Sequence, residues 1–98
     1  MSKSYWVYIL CSQRNGTLYT GYTGDLAKRI YVHREKLSEG FTKKYDVIKL
    51  VYVEEYGDVY EAKDREICIK RWKRAWKVDL IEKLNPEWKD LYEHLVMA

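Results

Sequence analysis

Residues 19–26 read Tyr-Thr-Gly-Tyr-Thr-Gly-Asp-Leu. Three kinds of local structure meet in this stretch. Its aromatic and β-branched residues suit a strand. Gly21 and Gly24 puncture that strand, which marks close backbone approach or a sharp exit. Asp25 suits a helix N-cap, because its carboxylate can accept from an N–H that has no partner in the first turn. The tandem triplet is thus a strand running through a turn into a helix. It is either an ordinary strand edge or half of a site completed upstream, within Trp6–Leu10.

On the N-terminal side, Tyr5–Cys11 is aromatic and β-branched, which predicts a strand. Asn15-Gly16, within residues 13–17, is a hairpin-turn signal, and residues 18–23 form the returning strand. On the C-terminal side, Leu26, Ile30, His33 and Leu37 recur at i, i+4, i+7 and i+11, one face of a helix. Ser38-Glu39-Gly40 is expected to end it. Residues 41–46 read as a basic, polar loop, and residues 47–53 as a third strand. From residue 58 to 84 the period is helical, with Ala62, Ile69, Trp72, Trp76, Leu80 and Leu84 on one broad face. The run is long enough to expect a kink or break. Asn85-Pro86 reads as a restart, N-cap then first helical position. Trp88, Leu91, Tyr92 and Leu95 would then line a short C-terminal helix. The order β-β-α-β-α-α is an α+β fold: a small three-stranded sheet with an antiparallel N-terminal hairpin, flanked by helices.

The 98 residues suit one domain spanning 1–98. With 47% hydrophobic and 34% charged residues, the chain is globular rather than disordered. No apolar run approaches the roughly 18 residues that span a bilayer, and no signal-peptide pattern is seen. Cys11 and Cys68 match no zinc or redox spacing, so both are expected as reduced thiols in a cytoplasmic protein. Net charge is only +3, but it is segregated. Lys70, Arg71, Lys73, Arg74 and Lys77 form one basic group, and Lys28, Arg29, His33, Arg34, Lys36, Lys43 and Lys44 a second. Acids collect at Glu54, Glu55, Asp58, Glu61 and Asp64. Such a surface suits a phosphate backbone, or is simply a solvated helix face. Ten tyrosines against one phenylalanine suggest that some hydroxyls are used.

One carboxylate sits in an unusual place. On a helical wheel Glu66 lies about 40° from Ala62, at the edge of the apolar face. A carboxylate there needs a partner: Lys73, Arg29, a tyrosine hydroxyl, a metal ion, or a structural ion pair at the core rim. Arg29 and His33 form an i, i+4 pair on the first helix, where a core-rim histidine and a surface arginine are the ordinary readings.

Taken together, these residues resemble the signature of the GIY-YIG nuclease superfamily. Trp6-Val7-Tyr8 stands for the first triplet and Tyr19-Thr20-Gly21 for the second, with ten residues between the two tyrosines. Arg29 follows Tyr19 by ten positions, His33 comes one helical turn later, and Ala62 precedes Glu66 by four. Asn85 is a plausible match to a further asparagine of the family. Trp6 replaces a glycine and Thr20 an isoleucine, changes that affect strand packing rather than reactive groups. The likeness runs from Tyr5 to about Tyr92. In residues 40–45, 50–56, 71–77 and 84–92 it looks like the small bacterial branch that consists of the catalytic module alone.

The resemblance implies a metal-dependent endonuclease, acting on DNA more readily than RNA, of low sequence specificity or selective for structure, with a role in repair or recombination. Its catalytic residues would be Tyr8, Tyr19, Arg29, His33 and Glu66, supported by Gly21 and Asn85. Glu66 would hold one Mg²⁺, with Mn²⁺ able to substitute, because that ion keeps several waters and takes phosphate as a ligand. Arg29 would bind phosphoryl oxygens. Tyr8 would be the base or a relay to it, and activity would then rise toward alkaline pH. Lys43, Lys44, Lys70, Arg71, Arg74 and Lys77 would hold the substrate backbone. The chain is expected as a monomer or weak homodimer, with targeting from an unidentified protein. Two other readings are a catalytically silent nucleic-acid-binding module of the same fold, and a protein-docking domain built on Trp72, Trp76 and Trp88.

Overall fold

The computed structural model describes residues 3–35, 40 and 44–93. Strand β1 (Tyr5–Cys11) pairs antiparallel with β2 (Leu18–Thr23), Tyr8 opposite Gly21. The turn between them carries Asn15 at φ +56°. A Cβ on Gly16 would fall 2.4 Å from Ser12 Oγ, so only glycine fits there. Helix α1 (Leu26–Arg34) begins at Asp25, whose Oδ1 accepts from the Lys28 amide at 3.1 Å. It buries Leu26, Ile30 and His33, as its periodicity requires. The helix ends earlier than the sequence suggests: Glu35 is its C-cap, its amide bonded to the Tyr31 carbonyl at 2.9 Å. Leu37 and Ser38-Glu39 lie outside the described residues. Lys44 and Tyr45 form a helical turn where a loop is expected, and Asp46 at φ +58° turns the chain toward the sheet.

Strand β3 (Lys49–Tyr56) lies on the far side of β1, giving the order β2-β1-β3 with all pairings antiparallel. It starts and ends later than residues 47–53. Acidic Glu54 is accommodated because Arg65 and two tyrosine hydroxyls take up its carboxylate. A register shift between Ile9 and Leu10 marks an irregularity against β3. Near it the Leu50 amide donates to Asp90 Oδ1 at 3.3 Å, and its carbonyl accepts from the Leu91 amide at 2.7 Å.

The helical run from 58 to 84 breaks, as its length leads one to expect, into two helices, α2 (Val59–Arg71) and α3 (Arg74–Leu84). They are separated by Trp72 and Lys73, both with extended backbone at ψ 151°. The break resets the helical phase. Ala62, Glu66 and Ile69 are buried on α2, but on α3 the buried residue is Ile81, while Trp76 and Leu84 are exposed. The expected single apolar face therefore does not continue through Trp76 and Leu84. Asn85 is not an N-cap. It is the C-cap of α3; residues 86–91 are turns and irregular backbone, and helical structure resumes only at Tyr92. Its side-chain amide donates to the carbonyls of Val51 (3.1 Å) and Lys89 (2.9 Å), and its oxygen accepts from the Lys89 amide at 3.0 Å. Trp88, fully buried at φ +56°, donates its indole N–H to Glu82 at 2.7 Å. Leu95 lies outside the described residues.

Both faces of the sheet are covered. Val7, Ile9, Cys11, Val51 and Tyr52 pack with Ala62, Ile69, Ile81 and Trp88. Tyr8, Leu10 and Leu50 pack with Leu26, Ile30 and Val47 on the opposite face. This explains the nearly continuous apolar character of β1, the central strand. Among the described residues, no helix is long and apolar enough to cross a membrane.

Candidate active site

The site begins at Gly21. Tyr8 and Gly21 are cross-strand partners whose side-chain positions face the same way. With no Cβ on Gly21, the Tyr8 ring lies across the outer strand. An added Cβ would sit 2.5 Å from the Tyr8 hydroxyl and 2.6 Å from Cζ. Tyr19, two residues before Gly21, stands beside it, its ring centroid 6.4 Å from that of Tyr8. Gly24 fits under the Tyr5 ring at 3.3 Å from its would-be Cβ, where the strand hands over to the Asp25 cap. The two glycines of the tandem triplet thus have separate uses.

Helix α1 supplies two groups from successive turns. Arg29 Nε donates to the Tyr8 hydroxyl at 3.4 Å, and His33 Nε2 lies 3.2 Å from the same oxygen. The His33 ring sits 5.9 Å from Tyr8 and 5.4 Å from Tyr19, centroid to centroid. Arg29 has no acceptor atom, so the Tyr8 oxygen accepts from it. The one phenolic hydrogen can then go to a neutral His33 Nε2, the direction of that bond depending on the histidine tautomer.

Electrostatics keep both partners neutral. Burial pushes the Tyr8 phenol up to about 12, against the lowering effect of Arg29. Burial, helped by the Arg29 charge, holds His33 down to about 4. At neutral pH the pair is a neutral phenol facing a neutral imidazole. Glu66 of α2 is close enough for its charge to act on the Tyr8 hydroxyl. Only 8% exposed, it pairs with Lys70 Nζ at 3.2 Å, one turn further on. The partner is Lys70 rather than Lys73, and the contact is the structural ion pair at the core rim that the sequence allows; the Glu-to-Lys i, i+4 spacing is the signal that points to it. Among the described residues no group of three or more His, Cys, Asp or Glu could hold a metal. A single hard carboxylate beside the cluster still fits Mg²⁺, which is commonly bound through one or two carboxylates, waters and substrate phosphate.

Tyr8, Tyr19, Arg29, His33, Gly21 and Glu66 are therefore brought together. Asn85 does something else in this structure: it ties the turn after α3 to β3. The basic residues are more varied than their sequence suggests. Lys70 holds Glu66, and Arg71 is exposed beside it at the end of α2. Arg74 donates to the hairpin carbonyl of Gly16 at 2.6 Å, and Lys77 Nζ donates to the Lys70 carbonyl at 3.4 Å. Lys44 is exposed, its ammonium 5.4 Å from the Tyr45 ring centre. Lys43 lies outside the described residues. Sequence reasoning missed a second polar centre. Glu54 accepts from Arg65 through both Nε (3.0 Å) and Nη2 (3.0 Å) and from Tyr56 at 2.7 Å, with Tyr52 bonded as well. The tyrosine-rich i, i+2 alternation of β3 was its only sequence sign.

Residues 4–79 match the GIY-YIG catalytic domain family. The chain is 44% identical over 89 residues to a UPF0213 protein of Syntrophus aciditrophicus, covering 89% of this chain and 98% of that one. It is 33% identical over 92 residues to a UPF0213 protein of Bacillus pumilus, covering 93% and 92%. The solution NMR structure of a UPF0213 protein from Bacillus halodurans superposes with a TM-score of 0.56 at 26% identity, covering 95% of this chain and 98% of that one.

Proposed function

Because this chain belongs to the GIY-YIG catalytic domain family, a family of nucleases, we propose that it is a metal-dependent endonuclease acting on DNA. We place it in the cytoplasm, as one domain, monomeric or weakly dimeric. Its selectivity is for structure rather than sequence, as repair or recombination requires, with any further targeting from a separate protein. The observation that carries this reading is the convergence of Arg29 Nε and His33 Nε2 on the Tyr8 hydroxyl, within reach of the Glu66 charge.

Nucleases of this family generally require a divalent metal ion. Glu66 would hold it, and the ion, Mg²⁺ or Mn²⁺, would supply charge neutralisation at the phosphate and a more acidic water. Arg29 stays cationic and presents its remaining donors to the non-bridging oxygens. Tyr8 is placed for the proton. With its pKa near 12, only on the order of one phenol in 10⁵ is ionised at pH 7, so a preformed phenolate is a poor base here. A relay is better supported. As water attacks phosphorus and the ester P–O bond breaks, the water's proton passes to the Tyr8 oxygen, the Tyr8 proton passes to neutral His33 Nε2, and the departing oxygen takes a proton from solvent. The arriving phosphate offsets the Arg29 charge and so raises the basicity of His33. Tyr19, packed at a tilt beside both rings, holds their orientation. Exposed Arg71 and Lys44, Lys43 and the remaining donors of Lys70, Arg74 and Lys77 hold the substrate backbone without reading sequence.

The test is an incubation of the protein with branched, single-stranded and duplex DNA and with RNA, in Mg²⁺, Mn²⁺ or EDTA. Metal-dependent cutting that Glu66→Ala and Arg29→Ala each reduce by about 10²-fold or more is expected. Cutting that survives both substitutions would refute the site. Tight, salt-sensitive binding with no cutting would instead identify a silent binding module. The pH profile separates relay from phenolate. The relay gives a level rate from about pH 6 to 9 and a fall toward pH 4 as His33 protonates. A preformed phenolate gives a tenfold rise per pH unit.

A further inference from the structure

The break between α2 and α3 creates a surface feature that catalysis does not use. Trp76, in the first turn of α3, is 53% exposed. Its ring meets Trp72 edge-on, with centroids 6.2 Å apart and planes at 77°. Trp72 is held in place by the Arg65 guanidinium 5.0 Å over its ring, and Arg65 is itself fixed by Glu54. One indole is thus clamped while the other stands open. With Asp79, Leu80 and Lys83 they line a notch of about 300 Å³, at the lower end of small-ligand sites.

The notch lies within a basic stretch of the chain, although its own lining carries one cation and one acid. Lys73, Arg74 and Lys77 flank Trp76 in the chain and Lys83 lies in the wall, against the single acid Asp79. The Lys77 ammonium bonds the Lys70 carbonyl, and Lys70 pairs with Glu66, so the basic residues run from the notch back to the catalytic cluster. Trp72 is six positions beyond Glu66, about 9 Å further along the helix and about 120° around it. A group in the notch therefore belongs to a neighbouring nucleotide and not to the one being cut.

We propose that the Trp72–Trp76 notch takes an unstacked nucleobase, and that the substrate carries an unpaired strand next to the scissile phosphate. This rests on the nuclease reading above. An open indole face accepts any base, while flanking lysines follow the backbone. A blunt duplex keeps its bases stacked inside and cannot fill the notch, and an apolar protein segment would leave the surrounding cations unmatched.

The test uses the full chain in EDTA, with binding to labelled single-stranded DNA and to a blunt duplex of the same length measured by anisotropy. Trp76→Ala is expected to weaken single-strand binding by about 5- to 150-fold, leave duplex binding and salt dependence unchanged, and preserve the melting temperature. Trp76→Phe should retain most of the affinity. An abasic nucleotide walked along the strand should weaken wild type at one position and have no further effect in Trp76→Ala. Equal losses on both DNAs, no loss on either, or loss of self-association in place of DNA binding would overturn the proposal. If wild type cuts DNA while Trp76 variants bind normally, the nuclease reading stands and the notch assignment falls. If wild type binds no nucleic acid, both fall.

Discussion

Gly21 controls the tyrosine cluster. Its missing Cβ is the space occupied by the end of the Tyr8 ring, with contacts of 2.5 and 2.6 Å for the atom that would be added. Gly21→Ala must push the Tyr8 hydroxyl aside, because the hydroxyl end of the ring is what the methyl meets. The stability loss should be modest, about 1–3 kcal/mol. Activity should fall by about 10²-fold, the effect of a misplacement of roughly 1 Å at a reacting group. Paired thermal melts and cleavage rates check this; a variant with full activity would show that the position of Tyr8 is immaterial. At this scale the sequence was informative about chemistry and poor about partners. Tyr8, Arg29 and His33 were legible from spacing, but Lys70 as the mate of Glu66 was not singled out. A wheel gives direction, whereas the choice among several cations within reach depends on which one the packed helix leaves adjacent.

The element that departs furthest from its sequence reading is the helical run after β3. Its periodicity was legible, but a period cannot report the two-residue interruption at Trp72 and Lys73, which turns every later side chain to a new direction. The same limit applies to Asn85-Pro86, whose helix-start pattern is overridden by bonds from Asn85 to Val51 and Lys89. What fixes α2 on the sheet is Glu54, where burial favours a raised pKa but hydrogen bonds from Arg65, Tyr52 and Tyr56 together hold it below the usual range. Glu54→Ala would leave those three donors without their acceptor and loosen the clamp on Trp72. A loss of about 2–4 kcal/mol is expected, read as a lower denaturant midpoint with unchanged slope. A loss under about 0.5 kcal/mol would show that α2 is held by apolar packing alone.

For the whole molecule, the buried titrating groups set a stability window. His33 has a folded pKa of about 4 against 6.5 when unfolded. The unfolded chain therefore binds the proton first, and the stability it contributes is complete above about pH 6.5 and lost as pH falls toward 4. The amount is on the order of 3 kcal/mol. Tyr8 runs the other way, with a folded pKa near 12 against 10, so its contribution is complete below about pH 10 and fades as pH rises toward 12. Denaturant melts across pH should show a plateau between these limits. In His33→Gln the acid loss between pH 6.5 and 4 should shrink; an unchanged acid limb would mean that another group carries it.

The strands, the Asp25 cap, the α+β order and the spacing of Tyr8, Tyr19, Arg29, His33 and Glu66 were set by the sequence itself, because local hydrogen bonding and side-chain period act over a few residues. Tertiary structure alone decided where β1 is buried on both faces, where the long helix breaks, and which cations serve Glu66, Glu54 and the hairpin. It also decided that Trp76 stands in solvent while Trp88 is fully buried. Those outcomes depend on which surfaces meet across the sheet, and contacts between residues far apart in the chain leave no period in the sequence.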